Sequence, residues 1–382
     1  MNVMNILITG GAGYIGSHAA LRMLEDDHVV TVVDNMVRGN AGAVRALEAV
    51  ARPHQFQFLE ADILDTAGLT DAMKARGVEA VMHFAALTYV GESVEQPLRY
   101  YRNNTAGAIS LLEACAAANV QGFVFSSTAA TYGEPPTELI PIREDCPQRP
   151  INPYGWSKLM VERILSDHHL RGSGAGGPPV INPGGTGVPP VIVGSAPTAE
   201  PTMRSRETAR TSTGFSFAAL RYFNVAGADR KARIGEDHRP ETHLIPICLE
   251  AALGQRPHVT IYGTDYDTPD GTCIRDYVHV EDLVDAHVIA LGALENGDCP
   301  QFVNVGIGRG YSVREVIESS QRVTGVTFKV VEGARRAGDA PALYADPSKI
   351  QSELNWRAKA RDLEQIIEDA WRWKRAHSGG YG

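Results

Sequence analysis

The sequence has few cysteines, and they form no recognisable pattern. Five occur among 382 residues: Cys115, Cys146, Cys248, Cys273 and Cys299. Because their number is odd and no C-x-x-C pair occurs, the sequence predicts neither a disulfide framework nor a zinc site, and we expect no metal. We expect the cysteines to be buried as small hydrophobic residues, as suits a reducing cytoplasm.

Long apolar runs and an excess of positive charge are also lacking. The start of the chain, MNVMNILITGGAGYIGS, has neither the basic beginning of a secretory signal nor an apolar run long enough to span a bilayer. The 36 Lys and Arg residues against 45 Asp and Glu residues give a formal net charge of -9. Since nucleic-acid and anionic-membrane surfaces need clustered cations, we expect neither partner. The expected partner is a small molecule.

Short apolar runs alternate with helix-length segments in the first part of the chain. They begin at Asn5, Val29, Phe56, Ala80, Phe123 and Phe217. Such runs, rich in β-branched and aromatic residues, are typical of a parallel sheet covered by helices on both faces. The predicted fold class is therefore α/β: a doubly wound parallel Rossmann sheet in residues 1–226, followed by a smaller α+β substrate domain in residues 227–382.

Two segments complicate this division. Residues 171–213 are rich in Gly, Pro, Ser and Thr and lack periodicity, so we predict a disordered insertion. The run FVNVG, residues 302–306, could return to extend the parallel sheet. The later helices are predicted near Pro246 to Leu253, Val280 to Leu294, Ser312 to Thr324 and Asp362 to Arg375.

The segment ILITGGAGYIGSH joins the first predicted strand to a helix through Gly10, Gly13 and Gly16. Without Cβ atoms the backbone can approach a pyrophosphate at the helix N-terminus, where free N–H groups and the helix dipole favour anions. Asp34 ends the next strand, where a carboxylate binds the ribose hydroxyls of NAD and repels the extra phosphate of NADP. NAD is predicted, while Arg38 keeps NADP open because arginine is the usual partner of that phosphate.

Hydroxyl groups end the strand FVFSSTAATYGE, and a Tyr-Lys pair follows on the next predicted helix. Thr128 is a candidate hydrogen-bond donor to a reacting sugar oxygen, because open α/β sheets bind ligands at this edge. Tyr154 and Lys158 are four residues apart, a spacing that a surface pair could also have. A lysine about 6 Å from the phenol, together with an oxidised nicotinamide, could lower the tyrosine pKa to roughly 6 to 7. We predict that Tyr154 is the catalytic base, assisted by Lys158 and Thr128.

Seven motifs together resemble the extended short-chain dehydrogenase/reductase family, and within it the UDP-glucose 4-epimerase branch. They are GGAGYIGS, HFAALTYVGES, SSTAATYG, PYGWSKLMVE, LRYFNVAGAD, DGTCIRDYVHVEDL and RRAGDAPALYADPSK. They cover nearly the whole chain except the insertion, and the carboxy-terminal motifs are sugar-nucleotide contacts in that family. The resemblance implies an NAD-dependent isomerase that interconverts UDP-glucose and UDP-galactose, and a homodimer.

The resemblance also implies two sets of binding residues. The NAD site would comprise Gly10, Gly13, Tyr14, Ile15, Gly16, Asp34, Asn35, Asp62, Ile63, Phe84, Ala85, Ala86, Asn103, Ser126, Tyr154, Lys158 and Tyr222. The UDP-sugar would be bound by Thr128, Tyr154, Phe223, Asn224, His243, Leu244, Tyr262, Arg275, Arg336, Asp339 and Leu343. The two arginines would face the diphosphate, since a guanidinium pairs bidentately with phosphate oxygens. From the residues alone, Asp62 could be an ordinary turn acid or an adenine contact.

In the implied mechanism, Tyr154 takes the proton of the sugar 4-hydroxyl while hydride moves from C4 to NAD, and the 4-keto sugar is then reduced from its other face. This sequence departs from the pattern at Thr88, where some members have a lysine near the cofactor phosphates, and at Trp156 inside the Tyr-Lys turn. Leu343 stands where a tyrosine would restrict the sugar pocket. UDP-N-acetylhexosamines are therefore predicted as side substrates.

Other functions fit parts of this pattern. Another NAD-dependent nucleotide-sugar epimerase of the same family would share every motif. A 4,6-dehydratase would need an acid pair directly after the threonine, where this sequence has Ala129 and Ala130. A non-catalytic NAD-sensing protein would not need Thr128, Tyr154 and Lys158 together.

Overall fold

The structure is a computed structural model that describes residues 3–172, 214–336, 339–360 and 362–381. The predicted insertion at residues 171–213 lies outside these ranges apart from the backbone of its first two residues. The strands are β1 Asn5–Thr9, β2 Val29–Asp34, β3 Phe56–Glu60, β4 Ala80–His83, β5 Gly122–Ser126, β6 Ser216–Tyr222, β7 Asn224–Ala226, β8 Val259–Tyr262, β9 Ile274–His279, β10 Phe302–Val305, β11 Gly310–Ser312, β12 Val330–Gly333 and β13 Ala342–Leu343.

The helices follow the same alternation along the chain. They are α1 Tyr14–Glu25, α2 Ala41–Val50, α3 Thr66–Arg76, α4 Val90–Glu95, α5 Pro97–Tyr100, α6 Gly107–Ala118, α7 Pro153–Gly172, α8 Leu244–Ala252, α9 Val280–Asn296, α10 Val313–Thr324, α11 Ser348–Glu353 and α12 Leu363–Ala376. A π-helical turn, Tyr101–Ala106, joins α5 to α6. The four later helices predicted from the sequence correspond to α8, α9, α10 and α12.

Seven parallel strands form the main sheet, in the order β3-β2-β1-β4-β5-β6-β10. Successive residues of a strand face opposite sides of a sheet, and β1 shows this directly. Ile6 and Ile8 pack into the core beneath α1, α2 and α9. Leu7 faces the core beneath α3, α6 and α7. The predicted doubly wound parallel sheet is confirmed.

Strand β10 comes from late in the chain, yet it pairs in parallel with β6, so residues 302–305 return to the main sheet. The smaller α+β region is built around β9, which pairs with β7, β11 and β13. Strands β8 and β12 form a separate parallel pair. Because β7 follows β6 after one residue, the smaller region begins at the carboxyl edge of the main sheet.

Two predictions from composition can be compared with this fold. All five cysteines are free; four are buried and Cys299 is half-buried. No helix among the described residues has the length and apolar character needed to cross a membrane.

Candidate active site

The turn between β1 and α1 forms a cradle made of backbone atoms. Gly10 has φ +70°, and a Cβ added to Gly16 would lie 2.2 Å from the carbonyl oxygen of Gly10. Gly13 is the N-cap of α1 and, having no side chain, forms no side-chain cap hydrogen bond. This backbone surface fits the pyrophosphate of a dinucleotide.

Asp34 lies at the carboxyl end of β2, where the sequence predicts the ribose-binding acid. Its carboxylate accepts hydrogen bonds from the backbone N–H groups of Ala12 at 3.1 Å and Met36 at 2.9 Å. Burial raises the pKa of Asp34, and these two hydrogen bonds act in the opposite direction. The carboxylate is thus held in place beside the glycine turn.

Arg38, the residue that kept NADP open, is engaged elsewhere. Its guanidinium pairs with both carboxylate oxygens of Glu92, at 2.9 and 3.0 Å. It also lies 4.6 Å from the centre of the Tyr89 ring. Because these contacts already engage the positive charge of Arg38, the guanidinium is not free to pair with the 2′-phosphate of NADP. The geometry therefore favours NAD.

The proposed reacting groups meet where β5 ends and α7 begins. Tyr154 and Thr128 both line the cavity, and Thr128 lies close enough to lower the pKa of the Tyr154 phenol. Lys158 donates to the carbonyl oxygen of Ser126 at 2.8 Å. The Ser126 hydroxyl lies 2.6 Å from the Tyr222 hydroxyl, so hydroxyls from two neighbouring strand ends face the same edge as the Tyr-Lys pair.

Burial is the largest influence on the pKa values of Tyr154 and Lys158. It raises the pKa of Tyr154, while the hydrogen bond from Thr128 acts in the opposite direction. Burial also lowers the pKa of Lys158 to about 7, although the negative charge of Glu162 opposes this change. The expected low pKa of Tyr154 includes the charge of an oxidised nicotinamide, and it stays a prediction.

A buried amide ties the cofactor side of the cavity to the catalytic helix. Asn104, in the π-helical turn, accepts from the Leu87 N–H at 2.8 Å and donates to its carbonyl at 2.9 Å. It also donates to the Ser157 hydroxyl at 3.0 Å, and Ser157 donates to the Tyr154 carbonyl at 2.7 Å. The π-helical turn thereby positions α7 next to the end of β4.

An ion pair lies next to the proposed catalytic groups. Glu162, one turn after Lys158 on α7, binds Arg221 of β6 through two hydrogen bonds of 2.9 and 2.7 Å. Glu162 also accepts from the Ser127 hydroxyl at 2.6 Å. Both charged side chains are buried, with 4% and 2% of their surface exposed. The pair locks α7 against the ends of β5 and β6.

The glycine turn, Asp34 and the Thr128, Tyr154 and Lys158 side chains border one cavity of about 410 Å³. Its wall contains every predicted cofactor residue except Asp62, which accepts a hydrogen bond from Asn35 at 2.8 Å just outside it. The wall also contains the predicted substrate residues other than Leu244, Tyr262, Arg336 and Asp339. The cavity therefore runs continuously from the glycine turn past Tyr154 to Arg275 and Leu343.

The two predicted diphosphate arginines share one acid. Asp339 pairs with Arg336 at 2.9 Å and lies 3.7 Å from Arg275. Arg336 lies over the Tyr262 ring at 5.0 Å from its centre, outside the cavity wall. Arg275 is in the wall and donates to the carbonyls of Ile274 and Ala340, both at 2.8 Å.

Sequence reasoning missed several residues of the wall, among them the charged pair Glu236 and His238 on the loop between β7 and α8. With Glu241 and His243 they repeat the pattern E-x-H within eight residues, a signal that could have found them. Burial would lower the pKa of His243, but the carboxylates of Glu236 and Glu241 outweigh this and raise it. The loop thus concentrates charge at the cavity.

Comparisons with known proteins agree with this geometry. The chain is 44% identical to the probable UDP-arabinose 4-epimerase 1 of Oryza sativa subsp. japonica, over 100% of this chain and 82% of that protein. It is 42% identical to the UDP-glucose 4-epimerase of Halalkalibacterium halodurans, over 99% and 98% of the two chains. The crystal structure of UDP-glucose-4-epimerase from Stenotrophomonas maltophila with bound NAD and formylated UDP-arabinopyranose aligns with a TM-score of 0.84, at 36% identity over 98% and 99%.

The model of the NAD dependent epimerase/dehydratase family matches residues 6–175 and 204–306. These residues include the glycine turn, Asp34, Thr128, Tyr154 and Lys158. The match and the full-length similarity together identify the chain as a member of the NAD dependent epimerase/dehydratase family, with NAD as its cofactor.

Proposed function

We propose that this protein is a UDP-sugar 4-epimerase that interconverts UDP-glucose and UDP-galactose. The observation that carries the proposal is one cavity that joins the dinucleotide cradle, the Tyr154–Thr128 pair and Arg275. A proton-transfer group between a cofactor site and an anion-binding side chain suits redox chemistry on a sugar hydroxyl.

Each residue has a defined task in this reaction. Tyr154 accepts the proton of the sugar 4-hydroxyl and later returns it, as a general base and acid. Thr128 hydrogen-bonds the reacting oxygen, and Lys158 stabilises the phenolate form of Tyr154 by its positive charge. Bound NAD supplies the acceptor and then the donor of the hydride. Arg275 anchors the diphosphate by charge-assisted hydrogen bonds, so the sugar alone changes its orientation.

The decisive experiment is to incubate the purified protein with UDP-galactose and to measure UDP-glucose by chromatography or NMR. We expect conversion without added NAD, because the cofactor is regenerated in every cycle and stays bound. No conversion, even with NAD added, would contradict the proposal.

UDP-arabinopyranose is the second candidate substrate. The 44% identical rice relative is named for UDP-arabinose. A pentose carries the same 4-hydroxyl but lacks the hydroxymethyl group of a hexose, so the same residues can act on it. Measuring kcat/KM for UDP-galactose and UDP-arabinopyranose side by side ranks the two candidates, and a preference for the pentose would displace UDP-galactose as the main substrate.

Leu343 supports a wider substrate range. It lies in the cavity wall on β13 and packs near Phe223 in a small apolar cluster. Leucine has no ring with which to reject an N-acetyl group. We therefore include epimerisation of UDP-N-acetylglucosamine as a side activity.

The protein is also proposed to be a homodimer. Apolar side chains are exposed on adjoining helices: Val94 on α4, Leu98 on α5, and Trp156 and Met160 on α7. Burying such a face against a second copy removes apolar surface from water. Analytical ultracentrifugation should give a dimer, and Leu98→Glu should weaken it, whereas a wild-type monomer at micromolar concentration would contradict the assembly.

A further inference from the structure

Four side chains on the loop between β7 and α8 converge on one point. They are Glu236, His238, Glu241 and His243, and their ligand atoms all lie within 4.8 Å of one another. The Nδ1 atom of His243 is 2.8 Å from Glu236 Oε1 and 3.2 Å from Glu241 Oε1. The Nδ1 atom of His238 is 3.1 Å from Glu236 Oε1 and 4.0 Å from Glu241 Oε2.

These separations match the edges of a metal coordination tetrahedron. Zinc binds histidine nitrogen and carboxylate oxygen at about 2.0 to 2.2 Å, which places neighbouring ligands about 3.3 to 3.6 Å apart. The four histidine–carboxylate distances, 2.8 to 4.0 Å, bracket these values, and the remaining separations are within 4.8 Å. Small side-chain rotations would therefore complete the geometry.

The charge of the cluster suits a cation, which would replace the ion pairs that His238 and His243 form with the two carboxylates. The side chains of Glu236 and Glu241 are only 6% and 4% exposed. Two neighbouring buried carboxylates are costly unless positive charge compensates them. One divalent cation bound by both carboxylates and two neutral imidazoles would cancel their charge of -2.

The surrounding contacts hold the ligands in place. His238 lies edge-on to the rings of Tyr14 and Tyr89, with ring centres 6.3 and 6.2 Å away. Glu241 Oε1 accepts hydrogen bonds from the backbone N–H groups of Thr242 at 2.7 Å and His243 at 2.8 Å. Such outer contacts orient metal ligands and reduce the ordering that binding requires.

We propose that Glu236, His238, Glu241 and His243 bind one divalent transition-metal ion, for which zinc is the best match. Imidazole and carboxylate ligands in a tetrahedral arrangement suit Zn²⁺ and Co²⁺, whereas Mg²⁺ prefers six oxygen ligands. Glu236, His238 and His243 belong to the cavity wall. The ion cross-links the loop that forms this wall, and it takes no part in hydride transfer.

The test uses the full chain without an affinity tag, since a polyhistidine tag would itself bind the ion. Chelator-treated protein is titrated with ZnCl₂ in a calorimeter and, separately, with CoCl₂ while the visible absorption is recorded. We expect one equivalent of Zn²⁺ per chain, and intense Co²⁺ bands typical of tetrahedral coordination.

Two ligand variants and one control sharpen the result. Glu236→Gln and His238→Ala should each weaken Zn²⁺ binding by at least ~10- to 100-fold, the loss that even outer contacts of a metal site produce. His54→Ala, at an exposed histidine outside the cluster, should bind as the wild type does. Circular dichroism of each variant shows whether it is folded.

Two outcomes would overturn the proposal. One is the absence of stoichiometric Zn²⁺ binding by the wild-type protein, which would leave the cluster as two histidine–carboxylate ion pairs. The other is Zn²⁺ binding that is unchanged in both ligand variants. Neither outcome depends on epimerase activity, so the metal site and the proposed reaction can fail separately.

Discussion

The two ends of the cavity are built differently. At the proton-transfer end, Tyr154, Lys158 and Thr128 are 8%, 3% and 7% exposed and come from the ends of strands and the start of a helix. At the end where the diphosphate is proposed to bind, the side chain of Arg275 in the cavity wall is 15% exposed, and that of Arg336 outside the wall is 61% exposed.

The difference follows from what each end must do. Proton transfer needs fixed geometry and strong electrostatic interactions, which burial on rigid elements provides. In the proposed reaction a diphosphate must enter and leave, which suits the greater exposure of Arg275 and Arg336 beside their shared acid, Asp339. Substitutions at the buried end should therefore have larger effects than substitutions at the exposed end.

The largest effect is expected for Tyr154→Phe. The ring still packs, but proton transfer is lost, so kcat should fall by about 10²- to 10⁴-fold. Bound NAD, measured by absorbance after denaturation, should stay near the wild-type level. A near-normal kcat would remove Tyr154 from its role as base.

Glu162→Gln tests the support behind the buried end. It leaves the guanidinium of Arg221 buried without its counter-charge, and the free energy of unfolding should fall by about 3 to 5 kcal/mol. The matched control is Glu364→Gln, which breaks an exposed pair with Arg322, 51% and 59% exposed, and should cost at most about 1 kcal/mol.

Urea denaturation followed by fluorescence measures both variants. Equal losses of unfolding free energy in the two variants would show that the buried Glu162–Arg221 pair is no more important for stability than the exposed Glu364–Arg322 pair.

Arg275→Ala and Arg336→Ala compare two positions within the diphosphate end. A hydrogen bond to a charged group contributes about 1.5 to 3 kcal/mol, so Arg275→Ala should raise KM for the UDP-sugar roughly 10- to 100-fold. The exposed Arg336 should contribute less, with a rise below about 10-fold. Steady-state kinetics checks the order, and a larger effect at Arg336 would reverse it.

Leu343→Tyr should change specificity more than rate. The added ring narrows the pocket near Phe223, so conversion of UDP-N-acetylglucosamine should disappear while UDP-galactose turnover changes less than about 10-fold. Leu343→Met is the volume-conserving control and should keep both activities. Wild-type protein that is active on UDP-galactose but never converts the N-acetylated sugar would contradict the wide pocket.

The smallest effect is expected when residues 173–213 are replaced by a short Gly-Ser linker. Helix α7 carries the chain about 27 Å from Tyr154 to Gly172 at 1.5 Å per residue, and β6 begins opposite Gly122, at the amino end of β5. The linker would therefore lie at the edge of the sheet away from the proposed reacting groups. We expect kcat to stay within about twofold of the wild-type value. Folded protein without activity would show that this segment matters for catalysis.

Much of the fold follows from local sequence. The apolar runs, the turn at Gly10 and the Tyr154–Lys158 spacing each arise within about a dozen residues, where strand period, glycine conformation and helix pitch act directly. Most predicted cofactor residues lie on such motifs and line the cavity. Leu244, Tyr262, Arg336 and Asp339 do not line it, because their positions depend on how the elements and loops of the smaller region pack.

The sequence by itself determined the doubly wound sheet, the dinucleotide cradle and the candidates for proton transfer. Only the tertiary structure decided which charges meet: Arg221 with Glu162, 59 residues away, and Arg38 with Glu92, 54 residues away. It also placed His238 against Tyr14, the first residue of α1, and Tyr89, the residue before α4. The physical reason is that backbone periodicity acts between near neighbours, whereas pairing of buried charges depends on which strand ends and loops the sheet brings to one edge.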